Sequence, residues 1–249
     1  MNNYPKRVLR GIARELFDVD IVSRASFGSE IVRDIGKILP PAKVQVVFDI
    51  GANLGDTTVE FAEVFKNASI YSFEPDPATF EKLNARVKPQ SRLKAYNFGF
   101  GSAAGSKALT VNKVSGGNSF LEISPAISEF AQGAWTEPVG KVSAEIRTLD
   151  DFCRENSIKE IDLVKIDTQG FELEILRGGQ QVITPARTRA IHIEVLFVEL
   201  YKNQVFFDEV YKELCGRGFR FVGLYNRFYK PEAPHYLLWC DALFVGEME

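Results

Sequence analysis

The chain has 249 residues, of which 45% are hydrophobic and 25% are charged, and its formal net charge at pH 7 is -3. This length and hydrophobic content fit one large domain with a substantial core and leave little room for a second full domain. The slightly acidic balance argues against a nucleic-acid partner, because proteins that bind a phosphate backbone cluster Lys and Arg. Composition therefore favours an enzyme that acts on a small molecule.

Cysteine content and hydropathy predict where the protein works. The three cysteines, Cys153, Cys215 and Cys240, lie far apart without metal-binding spacing, and an odd number cannot form a complete disulfide framework. The N-terminus lacks an apolar core of signal-peptide length, and the chain has no run of about eighteen apolar residues. We expect a cytoplasmic protein without a transmembrane segment, and the sequence indicates no particular oligomeric state.

The first forty residues are predicted to be mostly helical. Val8, Ile12 and Leu16 recur at helical spacing, and consecutive prolines after Leu39 end the pattern. We interpret residues 1–40 as an N-terminal helical extension and residues 41–249 as the main domain.

From there, strand-like and helix-like runs alternate. Strands are predicted at VQVVFDI, ASIYSFE and LKAYNFGF, with helices at 56–65 and 77–87 between them. This alternation is typical of a parallel sheet with helices on both faces. Residues 101–146 interrupt it with Gly, Ser and short β-like pieces, and we interpret them as an insertion or hairpin excursion that covers the acceptor as a lid.

The alternation then resumes to the end of the chain. A helix at 148–156 and the strand IDLVKID are followed by a helix at 171–183, the strand RAIHIEV and a helix at 206–217. Two last strands, RFVGLY and YLLWCDALFVG, flank the polar, aromatic loop NRFYKPEAPH and are predicted to be antiparallel. The predicted fold is Rossmann-like α/β, with a seven-stranded, mostly parallel sheet, helices on both faces and an antiparallel C-terminal strand pair.

The loop after the first strand predicts a cofactor site, because ligands bind beyond the carboxyl ends of the strands in such sheets. Gly51 allows a tight turn, Asn53 tolerates left-handed geometry, and Gly55 avoids a clash at the start of the next helix. Glu74 ends the second strand, where it can accept hydrogen bonds from two ribose hydroxyls.

A nicotinamide cofactor is one alternative, since Glu74 follows Gly51 by 23 residues. The dinucleotide fingerprint needs G-x-G-x-x-G, but positions 53 and 56 are Asn and Asp, and Asp56 at a helix N-terminus would repel a pyrophosphate. S-adenosylmethionine carries a ribose and a positive centre without phosphate, and it fits this loop better. Asp49 and Asp56 could face its sulfonium or ammonium, or they could only brace the loop and cap the helix.

A second polar group lies in LVKIDTQGFE and RAIHIEV. Lys165 and Asp167 alternate onto one face of their strand, and His192 and Glu194 share a face of theirs. If the strands are neighbours in register, the four residues form a candidate reaction centre at the carboxyl edge. The alternative is an ion-pair network beneath the site, in which a carboxylate holds Lys165 and His192 is a core residue with its hydrogen bonds satisfied. Asp167, Glu194 and His192 offer possible metal ligands, but the set is too generic to name a metal, so we assign no metal ligand and leave metal dependence open.

With these residues in view, the chain resembles the FkbM-type methyltransferases, a branch of the S-adenosylmethionine-dependent, seven-stranded α/β class. The resemblance spans roughly residues 44–245, in the family's order. Its most specific pieces are FDIGAN and KIDTQGFE. The other matching pieces are SFEPDP, YNFGFGSAAGSKAL, TLDDF, ELEILRGG, IHIEV and DALFV.

The resemblance implies a class I methyltransferase fold and methyl transfer to a hydroxyl of a sugar, a polyketide-type product or another small molecule. By position, the Gly51 loop and Glu74 hold the cofactor's amino-acid end and ribose, the turn at 97–102 borders the adenine, and Asp167 lies near the transferred methyl. The turn NFGFGS departs from the family, whose members more often carry an alanine and an acid there. The predicted cofactor-binding residues are Asp49, Gly51, Asn53, Gly55, Thr57, Glu74, Pro75, Asn97, Gly99 and Asp167.

A hydroxyl acceptor must lose its proton as the new bond forms. We expect Asp167 or Glu194 to be the base, with Lys165 or His192 tuning the charge, since one of two close carboxylates has a raised pKa. The aromatic residues between Tyr225 and Tyr236 either bind the acceptor or belong to the core.

Three other functions stay open at this point. They are an NAD-dependent sugar oxidoreductase, a nucleic-acid methyltransferase and a non-catalytic cofactor-binding protein on the same fold. The second is disfavoured, because DTQG stands where such enzymes usually show [DN]-PP-[YFW].

Overall fold

The structure is a computed structural model that describes residues 27–130, 136–230 and 233–246. Most of the predicted N-terminal helix lies outside the described residues. The strands, in chain order, are β1 (Val46–Ile50), β2 (Ser69–Phe73), β3 (Leu93–Tyr96), β4 (Gly99–Phe100), β5 (Gly105–Asn112), β6 (Pro138–Arg147), β7 (Ile161–Ile166), β8 (Thr188–Leu196), β9 (Arg220–Lys230) and β10 (Ala233–Val245). The helices are α1 (Ile31–Ile38), α2 (Asp56–Val64), α3 (Pro77–Val87), α4 (Leu149–Glu155), α5 (Glu172–Arg177) and α6 (Phe207–Gly216).

The main sheet has seven strands in the order β3-β2-β1-β7-β8-β10-β9. The first five of these are parallel to one another, and β10 pairs antiparallel with both β8 and β9. The strand order reverses between β1 and β7, so their carboxyl ends open a crevice where ligands bind in this class of sheet. The predicted fold class is confirmed.

The central strands are buried on both faces. Val47 and Phe48 are neighbours on β1 that point to opposite sides of the sheet, and both are 0% exposed. Phe48 belongs to an aromatic cluster on one face, and its ring centroid lies 5.3 Å from that of Phe73. The rings of Phe100 and Phe152 also contact Phe73, at centroid distances of 4.6 and 5.0 Å. These ring contacts pack β1 and β2 of the main sheet against α4 and β4.

Helix boundaries follow local capping. Helix α3 begins where predicted, because the Asp76 carboxylate accepts from the Thr79 backbone N–H at 3.1 Å and Pro77 occupies the first helical position. Helix α5 is shorter than the predicted 171–183. It ends before Gly178, where a Cβ atom would lie 2.0 Å from the Gly101 carbonyl oxygen.

The segment at 101–146 forms part of a second sheet with the order β4-β6-β5. The long hairpin pairs β5 with β6 in antiparallel register from Gly105↔Ile146 onward. The predicted strand LKAYNFGF is divided, with β3 in the main sheet and β4 in the small sheet. A short turn at Ser115–Gly117 follows β5 and returns to the crevice of the main sheet.

The prediction of a loop at 226–235 is wrong. Strand β9 continues to Lys230 and β10 already begins at Ala233. Aromatic cross-strand pairing supports the longer hairpin, since the Phe228 and Trp239 rings stack at 4.1 Å with an interplanar angle of 13°. The polar and aromatic residues of this segment did not by themselves distinguish an exposed two-stranded ribbon from a loop.

We predict that Phe73→Ala lowers the free energy of unfolding by about 3–5 kcal/mol, because it empties the centre of a packed aromatic cluster. Phe27→Ala is the control, since Phe27 is 52% exposed, and it should cost less than about 1 kcal/mol. Urea denaturation followed by circular dichroism measures both. Equal losses in the two variants would contradict this view of the core.

Candidate active site

Two loops meet at the carboxyl edge of the sheet. Gly51, directly after β1, has a φ of +73°, and a Cβ atom there would lie 1.9 Å from the Asp167 carbonyl oxygen after β7. Only glycine lets the two backbones approach this closely. The Gly51 loop and the Asp167 loop are therefore in direct backbone contact.

The Lys165 ammonium lies beneath this contact and binds both loops. Its Nζ atom donates to the Gly51 carbonyl oxygen at 3.0 Å and lies 3.4 Å from Asp49 Oδ1 and 3.5 Å from Asp167 Oδ2. Burial alone would lower the pKa of Lys165, but the carboxylates of Asp167 and Asp49 raise it above its ordinary value. Lys165 therefore stays cationic and lies under the site, where it cannot act as a base.

Asp49 completes this buried network. The residue is 0% exposed, and its Oδ2 atom accepts from the Thr58 hydroxyl at 2.6 Å. Its carboxylate thus connects β1, α2 and Lys165. The geometry supports the bracing role of Asp49 that the sequence left open, and its contact with a cofactor stays a prediction.

Gln169 joins the two candidate bases, and the sequence did not single it out. Its Nε2 atom donates to Asp167 Oδ1 at 3.0 Å and to Glu194 Oε2 at 2.9 Å. The Tyr201 hydroxyl donates to Gln169 Oε1 at 2.8 Å, which fixes the orientation of the amide. The Gln169 amide thus donates a hydrogen bond to each carboxylate, and its side chain lies between Asp167 and Glu194.

The two carboxylates have different surroundings. Burial, together with the nearby charges of Asp167 and Glu172, raises the pKa of Glu194 well above its ordinary value. Asp167 instead lies beside the Lys165 ammonium, and its side chain is 36% exposed. Glu194 therefore holds a proton more strongly than an ordinary glutamate, which suits a base.

The turn that carries Gln169 is held by Glu172. Its Oε1 atom accepts from the backbone N–H groups of Thr168 and Gly170 at 2.9 and 3.2 Å, and from the Thr168 hydroxyl at 3.0 Å. Gln169 has a φ of +57°, a strained value for a side-chain residue. Glu172 stabilises this turn, so it does more than interact with the dipole of its helix.

His192 pairs with Lys165 in strand register, as expected, but its ring faces a different carboxylate. Its Nε2 atom lies 3.2 Å from Asp241 Oδ1 on β10, and Asn226 donates to the other Asp241 oxygen at 2.6 Å. Burial would raise the pKa of Asp241, but the neighbouring His192 ring and Asn226 amide lower it. The Asp241 partner was missed, because it lies on a hairpin strand far along the chain.

Glu74 lies where predicted, at the end of β2. Its carboxylate accepts from the backbone N–H groups of Asn53 and Asp76, each at 2.9 Å. Burial raises its pKa to about 7, although both N–H groups favour the ionised form. Asn97 donates to the Glu74 and Pro75 carbonyl oxygens at 2.9 and 3.2 Å, so it fixes the backbone beside the carboxylate.

A cleft opens above these groups. Five predicted cofactor residues line it: Gly51, Asn53, Glu74, Pro75 and Asp167. The excursion supplies further lining residues that the sequence did not indicate, namely Leu109, Ser115, Gly116, Asn118, Ser119 and Phe120. The other predicted cofactor residues do not line the cleft, namely Asp49, Gly55, Thr57, Asn97 and Gly99. A Cβ atom on Gly99 would lie 2.9 Å from the ring of Phe120, and Phe120 lines the cleft.

Asp56 does not line the cleft. Its carboxylate is 83% exposed and pairs with Arg86 Nη1 at 2.6 Å. This ion pair gives Asp56 a partner on α3, and a contact between Asp56 and a cofactor sulfonium or ammonium stays a prediction. Because Arg86 offsets its charge, Asp56 would repel a pyrophosphate less strongly than the sequence alone indicated.

A second cleft adjoins the first. Gly116 and Gln169 line both clefts, while Glu194 lines only the second. Its other walls are Val114, Leu196, Leu200 and Trp239. Tyr225, which the sequence offered as an acceptor contact, is instead 3% exposed and faces Asp34 on α1.

Within the described ranges, no group of three or more His, Cys, Asp or Glu side chains is arranged to hold a metal ion. In the same part of the chain, no helix combines the length and the apolar character needed to cross a membrane.

Comparison with known proteins identifies relatives of this fold. A family model described as methyltransferase FkbM domain matches residues 49–221. The 2-O-methyltransferase NoeI of Sinorhizobium fredii is 29% identical over 164 residues, which cover 64% of this chain and 67% of that protein. The hexuronic acid methyltransferase AglP of Haloferax volcanii is 25% identical over 134 residues, or 53% of this chain and 49% of that protein.

A solved METTL16 MTase domain is similar in structure, with a TM-score of 0.50 over 97% of this chain and 79% of that one. Because the two sequences are only 12% identical, this likeness shows the fold alone.

We predict that Lys165→Met lowers the free energy of unfolding by about 3–5 kcal/mol, because it leaves the buried Asp49 charge without a counterion. In the double variant with Asp49→Asn, the loss should be smaller than the sum of the single losses by about 1 kcal/mol or more. Chemical denaturation measures all three. Lys212→Met breaks an exposed ion pair with Asp208 and is the control, with an expected cost below about 1 kcal/mol. Strictly additive losses would contradict the Lys165–Asp49 interaction.

Proposed function

The chain belongs to the FkbM methyltransferase family, and we propose that it transfers a methyl group from S-adenosylmethionine to a hydroxyl of a sugar or another small molecule. The family match confirms the predicted enzyme class and its cofactor. One observation carries the proposed reaction: two clefts meet at Gln169, with Asp167 lining the first and Glu194 lining the second.

The first cleft suits the cofactor. Asn53, Glu74, Asn118 and Asp167 give it polar walls, and Gly51 permits close approach to the backbone. The Asn118 Nδ2 atom is buried without a hydrogen-bond partner among the described residues, so it can donate to a ligand. S-adenosylmethionine supplies, when bound, a methyl group on a positively charged sulfur. Asp167 lines this cleft beside Gln169, whose amide donates to its carboxylate.

The second cleft receives the acceptor, with its hydroxyl against Glu194. As the hydroxyl oxygen bonds to the methyl carbon, the bond between that carbon and sulfur breaks and its electron pair stays on sulfur. Glu194 accepts the proton that the hydroxyl loses. We assign the base to Glu194 rather than Asp167, because the pKa of Glu194 is raised and Glu194 lines the second cleft, whereas Asp167 is paired with the Lys165 ammonium and lines the first. Gln169 positions both carboxylates for this step.

Relatives support a hydroxyl acceptor on a sugar or small molecule. One relative is named a 2-O-methyltransferase and another a hexuronic acid methyltransferase. We also propose a cytoplasmic location and no nucleic-acid partner, on the grounds of cysteine usage and the net charge of -3.

Calorimetry and label transfer test the proposed function. The chain should bind S-adenosylmethionine and S-adenosylhomocysteine, and it should bind NAD far more weakly. With S-adenosylmethionine labelled in its methyl group, it should label hydroxyl compounds in a panel of sugars and glycosides. Binding of NAD alone would favour the oxidoreductase alternative, and cofactor binding without label transfer to any hydroxyl compound would favour a non-catalytic protein.

We predict that the affinity for S-adenosylhomocysteine rises between pH 6 and pH 8, because Glu74, whose pKa is raised to about 7, ionises in this range. An ionised carboxylate accepts hydrogen bonds from ribose hydroxyls more strongly than a neutral one. Calorimetry across this range measures the effect. In Glu74→Gln the rise should disappear, and an unchanged pH profile in that variant would contradict the role of Glu74.

We predict that Glu194→Gln lowers kcat by about 10²- to 10⁴-fold, because the variant cannot accept the proton. Its affinity for S-adenosylhomocysteine should stay within about threefold, since Glu194 lies outside the first cleft. Wild-type kcat should rise with pH as Glu194 ionises. Glu199→Gln, which changes an exposed glutamate near the end of the same strand, is the matched control. Normal turnover in Glu194→Gln would refute the assignment.

A further inference from the structure

The second cleft differs in chemistry from the first. Four of its seven lining residues are apolar, namely Val114, Leu196, Leu200 and Trp239. Its charged and amide side chains, among the described residues, are those of Gln169, which also lines the first cleft, and Glu194, which accepts a hydrogen bond from Gln169. The wall away from the reaction centre is therefore apolar.

This wall belongs to a packed structure. Leu196 and Leu200 are 2% and 1% exposed, and both pack in a cluster with Ile127 and Tyr201. Trp239 packs against the same cluster, and its ring stacks on that of Phe228 at 4.1 Å. Phe228 is 42% exposed, so it extends the aromatic surface outward from the cleft. The apolar surface is held in place before any acceptor binds.

Such a surface discriminates between acceptors. Each hydroxyl that loses water without gaining a partner costs about 1–3 kcal/mol. A free sugar would bring hydroxyls against the exposed part of this wall, above all the half-exposed Val114, which offers no side-chain hydrogen bond. An alkyl or aromatic group would gain free energy there instead, at roughly 0.8 kcal/mol per buried CH₂.

Resting on the proposed function, we infer that the Val114–Leu196–Leu200–Trp239 wall binds an apolar group of the acceptor while the hydroxyl to be methylated faces Glu194. The acceptor class is a hydroxyl compound with an alkyl or aryl group attached, such as an alkyl glycoside. An unsubstituted sugar lacks the group that this wall would bind.

A pair of glucosides with one headgroup tests the inference. Methyl β-glucoside and n-hexyl β-glucoside are titrated into the full chain in the presence of S-adenosylhomocysteine, and calorimetry gives both affinities. We expect the hexyl compound to bind at least about tenfold more tightly, because several CH₂ groups become buried. Equal affinities, or no binding of either compound, would overturn the inference.

Two valines on the excursion provide matched variants. Val114 is 48% exposed and lines the cleft, whereas Val139 is 62% exposed and does not. Val114→Asp should reduce the preference for the hexyl compound to less than about threefold, since the new carboxylate would lose water beside the alkyl chain. Val139→Asp should keep the full preference. Trp239→Ala is a second variant and should also weaken the preference.

The affinity for S-adenosylhomocysteine separates this inference from the proposed function. It should be unchanged in Val114→Asp, because Val114 does not line the first cleft. A wild-type chain that fails to bind S-adenosylhomocysteine would refute the proposed function. A chain that binds it, yet keeps the same hexyl preference in Val114→Asp and Val139→Asp, would refute only the acceptor class.

Discussion

The site depends on the buried Lys165 ammonium. It is the cation beneath the contact between the Gly51 loop and the Asp167 loop, and it lies within 3.5 Å of atoms from both loops and from Asp49. Burying a charge costs free energy unless charged or polar partners surround it. The Lys165 ammonium therefore keeps Gly51, Asp49 and Asp167 close to it. The close backbone approach at Gly51 is stable because Lys165 compensates the carboxylates that meet there.

With Asp167 compensated, the site gives the two carboxylates different surroundings. Gln169 donates one proton to each, and Tyr201 fixes the direction of its amide. Asp167 lies beside an ammonium, while burial and the neighbouring carboxylates raise the pKa of Glu194. One environment suits a positive cofactor and the other suits a proton acceptor. The Gln169 amide lies between the two carboxylates and donates a hydrogen bond to each.

Local sequence signals identified the parts of this site that depend on strand ends. Alternating elements gave the parallel sheet, and the glycine turn and Glu74 followed from their places after β1 and β2. Contacts between distant strands carried no such signal. Asp241 reaches His192 only because β10 pairs with β8, and Arg86 neutralises Asp56 only because α3 packs near α2. Gln169 belongs to the motif LVKIDTQGFE, but its contact with two carboxylates can be recognised only once the positions of Asp167 and Glu194 are known.

The excursion connects the two clefts physically. The Ser115 hydroxyl donates to Asn53 Oδ1 at 2.6 Å, and the Ser119 hydroxyl donates to the Gln169 carbonyl oxygen at 2.7 Å. One end of the turn is thus held to the cofactor loop and the other to the reaction centre, while Gly116 lines both clefts. Val114, just before this turn, lines only the acceptor cleft. A substitution there changes the acceptor wall and leaves the serine contacts with the cofactor side intact, so acceptor choice can vary on a fixed methyl-donor site.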